Sequence, residues 1–384
     1  MNNEKIDDKS VGAQENEYRS YSVDETGRRL SVTGRRVSIV DDVFGETVEG
    51  GPNYCNVGWL RTAILMMKTQ IGLGVLSIRA LFDVFGMVPG GICLIVIAMI
   101  TTWSDCIVGV FKLRHRSVYS LDDVSQLLFG CIGRELFGVT SVLYWIFLAG
   151  AGMLGISIGL NAVSTHGVCT AVFVAVAAII GFGLFRIQTF SKISWPAWVG
   201  VICILTAIFT VTIAVGVQDR SADAPASGFF VSHYKVTNNP SFTDAISACS
   251  SLVFAYSGML TLFSTVSDMR YPRLYTRSLI ICQSVVTATY ITIGVVVYYY
   301  AGSYVASPAL GSAGALLKKV AYGFALPGLI VTTTLVIHLP AKLHDWDATV
   351  TYVIASAIPV FGGLVSLMGA LLGTLMSFLP MGCM

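Results

Sequence analysis

The sequence predicts an all-α polytopic membrane protein. Three observations predict it: too few charges for a soluble globule, apolar runs long enough to cross a bilayer, and basic residues gathered in alternate loops. Charged residues make up 12% of the 384 and hydrophobic ones 54%, whereas a soluble domain carries about 25% charged residues. Mean hydropathy is +0.73. Roughly 20 apolar residues cross a hydrocarbon core of about 30 Å. No water reaches that core, so each span must satisfy its own backbone, as a helix does, and the runs here are far too long for barrel strands. A net charge of +2 with no basic stripe gives no sign of a nucleic-acid partner.

Taken in order, residues 1–55 are rich in Asp, Glu, Ser, Arg and Gly, which predicts a disordered cytosolic tail. Arg28, Arg29, Arg35 and Arg36 lie close to Ser31, Thr33 and Ser38, a neighbourhood suited either to phosphorylation or simply to solvation. Residues 56–379 read as a transmembrane domain of about nine to ten spans. Spans are expected at 59–84, 88–111, 136–160, 168–186, 194–217, 243–266, 277–301 and 314–339. A final apolar region, 348–379, is too long for one untilted span and too short for two. Lys112, Arg114, Arg116 and Arg134 follow span 2. Arg186 and Lys192 follow span 4, Arg270, Arg273 and Arg277 follow span 6, and Lys342 follows span 8. This bias places the N-terminal tail and the even-numbered exits in the cytosol, and the loop at 218–242 outside or in a lumen.

Two spans carry helix-weakening motifs at matching positions. Span 1 contains Gln70-Ile71-Gly72-Leu73-Gly74-Val75-Leu76-Ser77, and span 6 contains Phe254-Ala255-Tyr256-Ser257-Gly258. Glycine weakens a helix by about 1 kcal/mol relative to alanine. Interrupted segments in corresponding positions of two halves point to a binding site of a membrane carrier. Unwinding there frees N–H and C=O groups that lipid cannot satisfy. A half-helix N-terminus then suits a carboxylate, and freed carbonyls suit an ammonium group or a coupling cation. Glycine and serine in spans also serve close helix packing, the other reading of both motifs. Phe254 and Tyr256 are expected either to close over a bound side chain or to pack.

Ionisable residues inside apolar runs are functional candidates. Lys68, one turn before the span 1 break, suits pairing with a freed carbonyl, standing where a coupling ion would bind, or snorkelling to the cytosol. Asp105 in span 2 and His338 in span 8 suit a proton relay or a solvated helix end. Thr332, Thr333 and Thr334 suit bonds to neighbouring helices or to a ligand. The nine cysteines form no CxxC pair and no Cys/His cluster at metal-ligand spacing. With no paired membrane carboxylates and no phosphate loop either, neither an enzyme nor a cofactor or metal is expected.

The run Met67–Ser77, the span 6 core and Ile358-Pro359-Val360-Phe361 resemble the amino acid/auxin permease family, with most likeness to filamentous-fungal neutral amino acid permeases. The resemblance covers about residues 40–384. It implies eleven spans with inverted five-helix repeats, spans 1 and 6 discontinuous. It also implies symport of amino acids with protons (or sodium), commonly at the plasma membrane, with a vacuolar membrane as the alternative. By position, Gly72, Leu73, Gly74, Val75 and Ser77 would line the substrate site from span 1, and Phe254, Tyr256, Ser257 and Gly258 from span 6. The chain departs from the family pattern in three places. Arg79 stands where the family has proline, the stretch after His338-Leu339-Pro340-Ala341-Lys342 is short by most of span 9, and the sequence stops before an eleventh span. The C-terminal part is therefore expected to be truncated. A non-transporting amino acid sensor or a non-functional truncated permease are the alternatives.

Overall fold

A computed structural model describes residues 20–23, 29–33, 36–41, 45–47, 57–74, 78–115, 118, 120–165, 167, 169–184, 190–218, 234–256, 258, 260–302, 314–341 and 361–384. The chain divides into two units, 1–53 and 54–384.

The first unit contains four strands, β1 (Ser20–Val23), β2 (Arg29–Thr33), β3 (Arg36–Asp41) and β4 (Gly45–Thr47), paired in order as an antiparallel meander. Leu30 stands opposite Ile39 and Val32 opposite Val37. The expectation of a disordered tail did not include these strands. Composition hid them: the segment is polar on average, but Leu30/Val32 and Val37/Ile39 alternate with polar residues at the period of a strand.

Among its described residues the second unit is all-helical. Its helices are α1 (Trp59–Gly74), α2 (Arg79–Phe85), α3 (Met87–Arg114), α4 (Leu121–Ser164), α5 (Thr170–Leu184), α6 (Phe190–Val217), α7 (Phe242–Ala255), α8 (Leu260–Ser267), α9 (Tyr275–Ala301) and α10 (Ala315–Ala341). They are followed by α11 (Phe361–Leu367), a π-helical turn Met368–Gly373, α12 (Thr374–Ser377) and α13 (Leu379–Cys383). Among the described residues six stretches are long and apolar enough to cross a membrane: Met87–Arg114, Leu121–Ser164, Pro196–Val217, Pro272–Ala301, Leu316–Val336 and Val365–Cys383. The last begins and ends later than the expected 348–379, and residues 342–360, on which the expected shortening falls, lie outside the described residues.

Local chemistry sets the helix ends. Ser120 caps α4 in a reciprocal box: its Oγ accepts from Asp123 N–H, and its own N–H donates to Asp123 Oδ2 at 3.0 Å. Gly130, at φ 71°, ψ −159°, bends α4, so a separate helical arm precedes the span expected at 136–160. Gly86, at φ 87°, separates α2 from α3. Trp103, Ile132, Ile179 and Ile213 are exposed on the outer faces of their helices. Small residues let helices close in elsewhere; a β-carbon on Gly328 of α10 would lie 3.0 Å from Gly200 O of α6.

Candidate functional site: two interrupted spans face each other

Span 1 is split into α1 and α2, and span 6 into α7 and α8. The two interrupted spans run side by side and antiparallel, fastened at both ends by backbone hydrogen bonds. At one end, Val57 N–H donates to Asp268 O at 3.2 Å and Arg270 N–H to Val57 O at 2.9 Å. At the other, Met87 N–H donates to Lys235 O at 3.0 Å and Asn238 N–H to Phe85 O at 2.9 Å. Asn238 Nδ2 adds a bond to Val84 O at 3.1 Å. These clamps fix the register, so the two breaks fall at the same level.

At that level Gly74, which ends α1, lies against the last residue of α7: a β-carbon there would sit 2.7 Å from Ala255 O. Beyond α7, Tyr256 N–H still donates to Leu252 O at 3.2 Å, and Gly258 N–H turns back to Tyr256 O at 2.8 Å. Gly258 O then accepts from Thr261 N–H at 3.1 Å and from Thr261 Oγ1 at 2.6 Å, which starts α8. Gly258 faces α1: a β-carbon on it would meet Thr69 Oγ1 at 3.3 Å and Gln70 Nε2 at 3.4 Å. Gln70 is buried, and its Oε1 has no hydrogen-bond partner among the described residues.

Tyr290 of α9 ties the two helix ends together. Its hydroxyl lies 2.9 Å from Gln70 O and 3.1 Å from Ala255 O, and its single proton can be given to either carbonyl. Its ring meets that of Tyr256 edge-on, centroids 5.3 Å apart. Tyr256 OH in turn lies 3.1 Å from Thr287 Oγ1, one turn back on α9.

The sequence-derived candidates fare unevenly. Gly74, Tyr256 and Gly258 stand where the breaks meet, and Phe254 is buried near the end of α7. Gly72 and Leu73 fall in the last turn of α1, with the Leu73 side chain outside the described residues. Val75, Ser77 and Ser257 also lie outside them. Lys68 does not snorkel: it is fully buried, its stem runs past Gly200 of α6, and its Nζ has no hydrogen-bond partner among the described residues. Asp105 is not a solvated helix end. It is buried within α3 and accepts from Gln283 Nε2 at 2.9 Å. His338 lies in α10, its side chain outside the described residues. Thr332, Thr333 and Thr334 each donate to the carbonyl one turn back, at 3.0, 2.9 and 2.8 Å. Sequence reasoning quoted Gln70 only as part of the span 1 motif and did not single out Thr69, Gln283, Thr287 or Tyr290, which the structure brings against these candidates. Tyr290 had a legible signal, since a tyrosine hydroxyl in the middle of a span needs a partner. Which carbonyls it would reach was not legible.

A groove of ≈ 570 Å³ lies between α3 and α9, lined by Met99, Trp103, Cys106, Gln283, Thr287 and Ile291 among others. Trp103 is 72% exposed and Met99 60%, so the groove opens on the outer surface of the bundle, with Thr287 on its inner side toward Tyr256.

Long apolar helices around a pair of facing, interrupted spans define an integral membrane carrier. The chain belongs to the transmembrane amino acid transporter protein family, whose model matches residues 56–343, and it is accordingly a transporter-family protein and not an enzyme. It is 30% identical over 356 residues to a transmembrane transporter of Fusarium pseudograminearum, covering 86% of this chain and 75% of that one. It is also 30% identical over 354 residues to the N amino acid transport system protein of Neurospora crassa, with 85% and 75% covered. Among solved structures it shares its fold with a Na+-coupled sialic acid symporter in a substrate-bound outward-open state. That match has a TM-score of 0.51 and 12% identity, and covers 85% of this chain and 80% of the other.

Proposed function

We propose that this protein is a secondary active transporter that imports amino acids by proton symport, at the plasma membrane, through inverted five-helix repeats whose first helices are the two interrupted spans. The observation that carries this reading is the meeting of the breaks, where α1 and α7 end at one level within contact of each other. Carbonyls at the C-terminal ends of α1 and α7 form a partial negative pole. Gln70 Oε1 adds a buried acceptor. A substrate ammonium group suits this pole, and the N-terminal end of α8 suits its carboxylate. In this reading Gly258 leaves room for the substrate backbone, and Gly72, Leu73, Val75, Ser77 and Ser257 complete the lining. Phe254 and Tyr256 flank the substrate side chain. The Tyr290 hydroxyl holds the two carbonyl-rich ends in place while the ligand changes. Arg79 is the first residue of α2, the position at which the family's proline would suit a first helical turn.

Uptake of labelled amino acids into proteoliposomes, by counterflow and then with an imposed proton gradient, tests this reading. Stereospecific counterflow with gradient-driven accumulation is expected. Saturable binding without counterflow would make the protein a sensor, and neither binding nor counterflow would make it a non-functional permease.

A further inference from the structure

Asp105 is buried in the span of α3, nine residues before its basic end at Arg114, about 13–14 Å along the axis. Gln283 Nε2 donates to its Oδ2 at 2.9 Å. No basic side chain contacts the carboxyl group among the described residues. The titratable groups near it are Tyr275 and Cys282 on α9 and Cys106 on α3. The Tyr275 hydroxyl is already committed to the Asp105 backbone carbonyl at 3.0 Å. α8 carries no ionisable residue, and Asp268 just beyond it is acidic. Lys112, two turns on, donates to Val118 O. Of the other elements against α3, α2 carries Arg79 and Asp83 and α7 carries Asp244 and Cys249. These helices meet the opposite end of α3. α13 carries Cys383. An ionised carboxylate held this way in a bilayer has lost water and gained no cation.

The amide supplies a second observation. Gln283 Oε1 is buried and has no hydrogen-bond partner among the described residues. A proton on Asp105 would give that oxygen a donor and close a two-bond acid–amide pair. Turning the amide over would set Oε1 against Oδ2, a contact that also requires the proton. Both orientations are therefore completed by the neutral acid.

Gln283 is also not isolated from the breaks. Gln283, Thr287 and Tyr290 lie at i, i+4 and i+7 on α9, a single stripe of the helix. The stripe touches, in order, Asp105, the Tyr256 hydroxyl and the carbonyls of Gln70 and Ala255.

We propose that Asp105 and Gln283 form the proton-carrying site of the transport cycle, and that the α9 stripe links it to the meeting of the interrupted spans. This rests on the transport reading above and names its coupling group. Loading Asp105 with a proton holds α9 against α3. Releasing it toward the nearer, basic end of α3 leaves a charge beside the amide and loosens the stripe that Tyr290 terminates.

Two measurements on the full-length protein test this. In proteoliposomes with an acid-outside gradient, the wild type is expected to accumulate amino acid above the outside concentration, and Asp105→Asn only to equilibrate it. Accumulation by Asp105→Asn equal to the wild type, or wild-type accumulation that follows sodium and ignores pH, would overturn the proposal. The second measurement needs no transport: the infrared carbonyl band of a neutral carboxylic acid in purified protein near neutral pH. The band is expected in the wild type and should shift in Gln283→Leu, which removes its hydrogen-bond partner. A spectrum without the band, or one unmoved by Gln283→Leu, would overturn the proposal even if Asp105→Asn does not fold. Failure of wild-type counterflow with the band present and shifting would instead remove the transport reading and leave the protonated pair standing.

Discussion

The two breaks look alike as motifs and differ in how closely they are packed. A β-carbon at Gly74 would meet the Tyr290 hydroxyl and lie 2.7 Å from Ala255 O and 3.0 Å from Ala255 Cα, the last two backbone atoms of a clamped helix. At Gly258 it would meet Thr69 Oγ1 at 3.3 Å, Gln70 Nε2 at 3.4 Å and Gln70 Cγ at 3.5 Å, all side-chain atoms, though Thr69 Oγ1 is held by a bond to Met66 O at 2.8 Å. The first glycine thus lets two helix ends close on each other, and the second packs against two side chains, one of which carries an amide oxygen with no hydrogen-bond partner among the described residues. Matching glycines in matching motifs need not do the same work. Close packing, one of the two readings open for both motifs, fits Gly74 better than Gly258.

The largest effect should come from forcing the tight side. Gly74→Val places branched carbons against the Ala255 backbone and should destabilise the fold by about 3 kcal/mol, seen as a fall in melting temperature in detergent. Normal melting with lost substrate binding would return Gly74 to the ligand site. Tyr290→Phe should cost about 1.5 kcal/mol, because neither Gln70 O nor Ala255 O retains the hydroxyl that joins them. Uptake should fall with it, and an unaltered melting curve would mean that the tie contributes nothing. The smallest effect is expected from Thr287→Val, which removes the partner of Tyr256 OH. An interhelical bond of this kind in a membrane contributes about 0.6 kcal/mol, so the melting temperature should barely move. A collapse comparable to Gly74→Val would show that the α9 stripe, not the glycine contact, sets the frame.

Much of the fold was legible because bilayer physics leaves few options. Runs such as 88–111 and 277–301 had to be helices, and Gly-rich stretches at 70–77 and 254–258 marked where helices end. The charge-poor core also made Asp105 and Lys68 conspicuous. What each one meets was not legible, because that depends on which helices become neighbours. Asp105 finds Gln283 178 residues away, and Tyr290 finds Gln70 220 residues away. Lys68 has a stem long enough to snorkel, yet the approach of Gly200 from α6 keeps it inside. The strands at 20–47 were missed for a different reason: average polarity masked a period of two.

The account stands or falls on whether the substrate binds against Gly258. Ligand-induced stabilisation of the purified wild type and of Gly258→Leu measures this most directly. A bound amino acid at roughly a hundredfold its Kd should stabilise the wild type by about 2.7 kcal/mol. Gly258→Leu should lose about 1–3 kcal/mol of stability without ligand through overpacking against Thr69 and Gln70, remain folded, and show no further shift when the amino acid is added. The same ligand-induced shift in Gly258→Leu as in the wild type would contradict the account and place the substrate elsewhere in the bundle.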